Sequence, residues 1–429
     1  MEGWRHVRLG DVAELSGGYA FKSTQYTDAG HFVLRTVNIR DDFSITREGA
    51  TFISEQDALE YTRFSLTDKD TLFVMVAATL GKVGYVRHDA LPALLNQNMW
   101  VIRAKPRQMD PAFLQFCFRE LSKIPLAWVS GSARSFLRRD DVRNLEFDLP
   151  PLPEQRAIAA ILGALDDKIE LNRRKCETLE SMARVLFRDW FVDFGPTRAK
   201  MAGAAPYLAA DLWSLLPDRL DDEGKPEGWE VRPIKANCSF VANGSTPKRD
   251  VAEYWTNGEI PWLSSGEVRQ RIITKTNAFI TERGLAESSA KLIDPGATVV
   301  ALYGATAGQV SILAARVTTN QAVCALTAKP MFRLYNFLKL SSETETLLGM
   351  ATGSAQQNLS KGIVENFPVL VADIAVMEAF EAIVSPLFEA MVAQEQETGI
   401  LAETRDLLLP RLMSGELRVT DAEHLEEVL

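Results

Sequence analysis

From Ile158 onward, apolar or small residues recur in alternating steps of four and three: Ile158, Leu162, Leu165, Ile169, Asn172, Cys176, Leu179, Ala183, Leu186 and Trp190. This period predicts a long helix whose one stripe packs against a second helix. At 1.5 Å per residue its seam would run roughly 50 Å. The preceding Leu149-Pro150-Pro151-Leu152-Pro153 predicts an extended approach with a proline in the first helical turn. Shifted by 222 positions, the seam returns as Phe380, Val384, Leu387, Met391, Gln394, Thr398, Leu401, Arg405, Leu408 and Leu412, with Arg405 as its worst fit. Asn172 and its counterpart Gln394 put an amide in the middle of each seam, which reads as a register device or, equally, as an exposed amide where the seam loosens. Arg173 and Lys175 flank the first amide, and Glu395 and Glu397 flank the second. An antiparallel helix pair would bring these opposite signs together, with solvated faces as the competing reading.

The repetition extends beyond the helices. One order of signals opens at Trp4 and again at Trp229; Gly17-Gly18 answers Gly244, and Phe52-Ile53-Ser54-Glu55 answers Phe279-Ile280-Thr281-Glu282. Thr71 to Val83 then matches Thr298 to Val310, Asn96-Gln97 matches Asn320-Gln321, and Gly131-Ser132-Ala133 matches Gly353-Ser354-Ala355. So many points in one order predict an internal duplication. Within each copy, short β-rich runs with glycine turns (70–86 and 297–312) alternate with helical pieces (111–122 and 331–347), which predicts a mixed α/β (α+β) unit. Two similar halves suit a partner that is itself nearly two-fold, and duplex DNA is such a partner.

A length of 429 residues allows two or three domains with full cores. The four cysteines stand far apart, with no zinc spacing and no disulfide framework, which fits a reducing cytosol. No signal-peptide pattern follows Met1, so a cytoplasmic protein is expected. The net charge of -10 is unevenly distributed: residues 1–150 are neutral, 229–371 are +3, and 372–429 alone carry -10. Acidity concentrated in the helical tail leaves each globular half free to hold a basic face.

In both copies a Gly-Ser-Ala loop precedes a polar cluster: Arg134, Arg138, Arg139 and Arg143 in the first, and Gln356, Gln357, Asn358 and Lys361 in the second. Arg and Gln suit bidentate contacts with guanine and adenine edges, and Arg or Lys suit phosphates. Lys22, Arg35, Arg40 and Lys82, then Lys248, Arg249, Arg269, Arg271 and Lys275, are further DNA-binding candidates. Any of them is also readable as a solvated surface charge. Catalytic constellations are missing: the four histidines sit in no metal spacing or nucleophile motif, and Gly304 to Gly308 lacks the Lys and Ser/Thr of a phosphate loop. Neither a methyltransferase cofactor loop nor a plausible nuclease motif can be read.

Leu149 to Arg156, Leu162 to Asn172, Phe187 to Phe194, Leu216 to Val231 and Leu401 to Leu417 together resemble the specificity subunit of a type I restriction-modification system. The resemblance covers essentially the whole chain. It implies a first target-recognition domain at 1–152, a spacer helix at 153–196, a connector at 197–228, a second recognition domain at 229–372, a second spacer helix at 373–415 and a tail at 416–429. It further implies a non-catalytic DNA reader with no cofactor or metal of its own. Each domain would read half of a bipartite target, with the helix pair setting the gap. Two modification subunits using S-adenosylmethionine would dock, and restriction subunits would add ATP- and Mg-dependent cleavage. A stand-alone or fused methyltransferase or nuclease, and a coiled-coil protein-binding adaptor, are the other classes to weigh. Two departures stand out: the second copy lacks the Pro-Pro-x-Pro-Glu-Gln lead-in and has Asp373 as an expected N-cap, and Pro386 falls inside the second helix, predicting a kink or a fresh start there.

Overall fold

The computed structural model describes residues 3–75, 79–124, 137–351 and 358–419. It divides into two compact units, one made of 1–169 with 400–429 and the other of 170–399.

In the first unit β1 (Arg5–Arg8), β2 (Ala13–Gly17), β3 (Tyr26–Thr27), β4 (His31–Leu34), β5 (Thr51–Ile53), β6 (Thr71–Val74), β7 (Val83–Tyr85), β8 (Ala93–Leu95) and β9 (Met99–Ala104) precede α1 (Pro111–Leu121). Then come α2 (Arg139–Arg143), β10 (Glu146–Leu149) and the long α3 (Leu152–Phe191). An antiparallel sheet runs β2-β9-β6-β7, a smaller one runs β3-β5-β4-β8 with β4 and β8 parallel, and β1 pairs with β10. The strand period decides the layers. Phe73, Trp100 and Ile102 face one core with α1 and the start of α3, while Leu72, Val74, Met99 and Val101 face a second core against the small sheet. Strands buried on both faces read as continuous apolar runs, as Thr71–Val74 does.

The second unit repeats this plan. β11 (Glu230–Pro233), β12 (Cys238–Asn243), β13 (Ile260–Leu263), β14 (Ile272–Ile273), β15 (Ala278–Ile280), β16 (Thr298–Ala301), β17 (Val310–Leu313), β18 (Thr318–Thr319) and β19 (Val323–Ala328) are followed by α4 (Arg333–Ser342). After them lie α5 (Lys361–Glu365), β20 (Pro368–Val371) and the long α6 (Ile374–Met413). Its sheets run β12-β19-β16-β17-β14 and β15-β13-β18, with β11 on β20. Val299, Ala301, Val323 and Ala325 fill one core, and Val300, Cys324 and Leu326 fill the other with α4 and the helices. The long helices are 40 residues each and begin 222 positions apart, at Leu152 and Ile374.

Within each unit the two long helices run antiparallel. In the first, Ile158 and Leu162 of α3 share a core with Leu409 and Leu412 of α6. In the second, Ala183, Phe187 and Trp190 share one with Phe380, Val384 and Met391. The misfit Arg405 is accounted for: its Nη1 lies 2.6 Å from Asp166, both side chains being nearly buried, and its Nη2 reaches Asp406.

The proline lead-in explains itself as well. Gln155, buried at the first turn of α3, accepts from the Asp110 amide at 2.8 Å and donates to the Pro150 carbonyl at 2.8 Å. Asp110 in turn caps α1 by accepting from the amides of Ala112 and Phe113 ahead of Pro111. In the second copy Met377 stands at the matching place, fully buried in an apolar core, so no amide clasp is needed there. Of the kink or fresh start expected at Pro386, the fresh start does not occur: α6 is one helix from Ile374 to Met413. Asp373 precedes it, its carbonyl accepting from the amides of Val376 and Met377.

Candidate nucleic-acid interface

Corresponding loops leave each large sheet at the same glycine. The Gly18 amide donates to the Met99 carbonyl and the Gly244 amide to the Val323 carbonyl, each at 3.2 Å. A Cβ on either would lie 2.0 Å from a backbone oxygen, of Asn96 or Thr319, so glycine is required for the close approach. The first loop carries the exposed Lys22, and the second the exposed Lys248 and Arg249.

Arg139 opens α2, and Lys361 holds the same place in α5. Arg139 Nη2 lies 3.5 Å from where a Cβ of Gly17 would be, so it lies against the start of the loop carrying Lys22. Arg138 is exposed just before α2, and Arg143 packs against Gly10. Arg134, Gln356 and Gln357 lie outside the described residues.

The remaining cations divide by what already holds them. Arg35 donates to the Gly49 carbonyl at 2.9 Å. Arg40 donates to the Thr46 hydroxyl at 3.2 Å and stands 3.9 Å from Glu48, and Lys82 is 2.7 Å from Asp41. Lys361 is 3.6 Å from Glu365 one helical turn on. Arg271 is ion-paired with Glu180, a buried carboxylate of α3 that also meets Arg184 at 2.8 Å. This arginine therefore ties its loop to the helix. Arg269 and Lys275 are exposed beside it.

One arrangement was missed by sequence reasoning. The Arg249 guanidinium sits 3.8 Å over the ring of Trp255 and 4.7 Å from that of Trp262. The two indoles meet edge to face at 5.2 Å. Two tryptophans downstream of Lys-Arg were the available signal, but nothing in their spacing says that they share a face.

On the helices, Asn172 is fully buried and donates Nδ2 to Glu397 Oε2 at 2.8 Å, while its own Oδ1 and the Gln394 Oε1 are buried without a partner among the described residues. Arg173 pairs with Glu170 at 2.8 Å and Glu177 at 2.6 Å along its own helix. Burial raises the Glu395 carboxyl, with Arg271 opposing.

Burial pushes the thiol of Cys324 up to about 12 and those of Cys176 and Cys238 up to about 11, so they stay protonated and poorly nucleophilic near neutrality. Among the described residues no group of three His, Cys, Asp or Glu side chains is placed to hold a metal ion, and no helix is long and apolar enough to cross a membrane.

Two copies of one mixed α/β unit, each presenting a glycine-anchored basic loop, define a duplicated binding protein. The type I restriction modification DNA specificity domain matches residues 1–181 and 226–373, and the chain belongs to that family. Its members are the non-catalytic, target-recognising subunits of type I restriction-modification systems. The chain is 28% identical to the HindI specificity subunit of Haemophilus influenzae over 97% of its own length and all of that protein's. It is 23% identical to the MjaIX specificity subunit of Methanocaldococcus jannaschii, covering 97% and 94% of the two chains. The crystal structure of the type I restriction-modification S subunit from M. genitalium shares the fold, with a TM-score of 0.58 at 14% identity and 96% coverage of both chains.

Proposed function

We propose that this subunit reads a bipartite DNA target, the domain at 1–152 taking one half-site and the domain at 229–372 the other. The paired helices at 153–196 and 373–415 set the unread gap between them. The observation that carries the reading is the duplication at the interface itself: Lys22 and Lys248 each stand four residues past the anchoring glycine, Gly18 or Gly244, and Arg139 and Lys361 each open the matching helix. Lys22, Arg138, Arg139, Lys248, Arg249, Arg269, Lys275 and Lys361 are the side chains this reading brings to DNA. Arg35, Arg40, Lys82 and Arg271 shape the loops that present them. Asn172 and Gln394 hold the helix register, which the burial of Asn172 and its bond to Glu397 support.

Two modification subunits dock on the helices and carry S-adenosylmethionine-dependent adenine methylation, and restriction subunits add ATP- and Mg-dependent cleavage. A second, outward heptad row supports a helical partner. Leu171, Thr178 and Val185 repeat every seven residues on α3, and Ala393, Ile400 and Leu407 repeat likewise on α6. Val185 is 63% exposed and Leu407 63%, unusual for apolar residues at regular spacing.

Adenine methylation is to be mapped genome-wide in cells carrying this chain with its modification subunit and in cells lacking only this chain. Loss of one split motif, two short half-sites with a fixed gap, is expected. Unchanged methylation despite confirmed expression, with no DNA affinity in the assembled complex, would point to a protein-binding adaptor.

A further inference from the structure

Among the described cations of the candidate interface, Arg249 is held in a way none of the others is. Its loop, Gly244 to Asp250, is fastened at several points. The Ser245 amide donates to the Thr319 carbonyl at 2.8 Å, and the Thr246 hydroxyl donates to Gln321 Oε1 at 2.5 Å. The two tryptophans bind the same loop through their ring nitrogens: Trp262 Nε1 donates to the Ser245 carbonyl at 3.1 Å and Trp255 Nε1 to the Lys248 carbonyl at 3.0 Å. Trp262 is only 3% exposed, so the platform is anchored in the domain. Arg249 therefore sits over the Trp255 ring and beside Trp262, on rings that also position its own backbone.

A guanidinium stacked on an indole has its plane fixed while its in-plane N–H donors still point outward. Among the described residues no carboxylate pairs with it. An oriented, unpaired fork of this kind matches the O6 and N7 acceptors of guanine, the commonest specific contact in the major groove. A phosphate contact needs only positive charge and no such platform. The first unit supplies the contrast. With Gly18 on Gly244, Lys22 matches Lys248 and Ser23 stands where Arg249 does, so the first loop has no guanidinium fork at that place.

We infer that Arg249, held over Trp255 and beside Trp262, reads one guanine in the half-site taken by the second domain. This rests on the bipartite reading above and adds which side chain specifies a base. The test uses the full complex with its modification subunits. The target is taken from the wild-type methylation map, and affinity is measured on double-stranded oligonucleotides carrying that target or a single-base change at each guanine of the second half-site.

Arg249→Ala and Arg249→Lys should both lose discrimination at one guanine by roughly 5- to 150-fold, with the first half-site unchanged. Lysine keeps the charge and some stacking but not the fork, so it should not rescue. Weakening that is uniform across sequences, restored by Arg249→Lys and accompanied by a salt slope reduced by about one, would make Arg249 a phosphate contact and overturn the inference. Unchanged discrimination in folded variants would overturn it too, with the bipartite reading intact. A wild-type complex that yields no split motif would instead sink that reading itself.

Discussion

Asp166 and Arg405 form a nearly buried ion pair in the first unit, and 222 positions away Phe388 and Ala183, both buried in one apolar core, fill the same two places in the second. The substitution is part of a pattern. Trp4 donates its indole N–H to Glu154, which also holds Arg418, whereas Trp229 is buried with no partner for its N–H among the described residues and Val376 stands where Glu154 does. β1 and β10 carry His6, Arg8, Glu146 and Asp148 in the register that β11 and β20 fill with Val231, Pro233, Pro368 and Leu370. At these three places one fold is thus closed by polar clasps in the first unit and by packing in the second. Polar clasps trade stability for geometric selectivity, because a paired buried charge gains little over an apolar isostere while an unpaired one is costly.

The largest effect should come from breaking the ion pair. Asp166→Ala leaves the Arg405 guanidinium with only the half-exposed Asp406, and a loss of about 3–5 kcal/mol in urea unfolding is expected. Asp166→Phe combined with Arg405→Ala copies the second unit and should be neutral or stabilising by about 1–4 kcal/mol. Were the double variant as unstable as the single one, the two sites would not be equivalent.

Next comes the amide clasp. Gln155→Met places the second unit's residue in the first and strands the Asp110 amide and the Pro150 carbonyl, for an expected loss of about 1–3 kcal/mol. No change in the denaturation midpoint would show that water or a neighbour replaces the clasp.

A smaller effect sharpens the contrast through pH. Burial raises Glu395 above its ordinary 4.5, so the folded chain holds a proton that the unfolded chain has released. Stability should therefore fall as pH rises from about 4.5 through the raised value, and Glu395→Gln should flatten that part of the profile.

The smallest effect is on the first unit's surface strands. His6 is raised above 6.5 by its hydrogen bonds to Asp148 and Glu146, so its contribution is fully present below about 6.5 and is lost as pH climbs through the raised value. His6→Val, copying Val231, should remove a slight slope there, and an unaltered slope would assign it to another group.

The helices were legible because a seam needs regular spacing. Every predicted seam position from Ile158 to Trp190 is buried or half-buried, and even the polar misfit at Arg405 has its carboxylate opposite. The strand pairs 71–86 and 298–313 were legible for the same reason, as apolar runs around glycine turns. Pro386 does not restart the helix because helix-breaking is a local rule, and the packing of Val384, Phe388 and Met391 on either side carries α6 through it. Which basic residues are already engaged was hidden, since Lys82 finds Asp41 and Arg271 finds Glu180 across distances in sequence that no local pattern encodes. The Arg249 platform was hidden likewise, because rings at 255 and 262 meet only when the loop and β13 are folded together.

The central claim is that two equivalent domains read independently. Residues 229–372 are to be exchanged for the corresponding domain of the Haemophilus influenzae relative, and the adenine methylation motif of the chimera determined in cells with this system's modification subunit. The account predicts a hybrid target: the half-site of the first domain retained, the gap length unchanged, and only the other half-site replaced. A motif in which both half-sites change, or the retained half-site follows the exchanged domain, would contradict it.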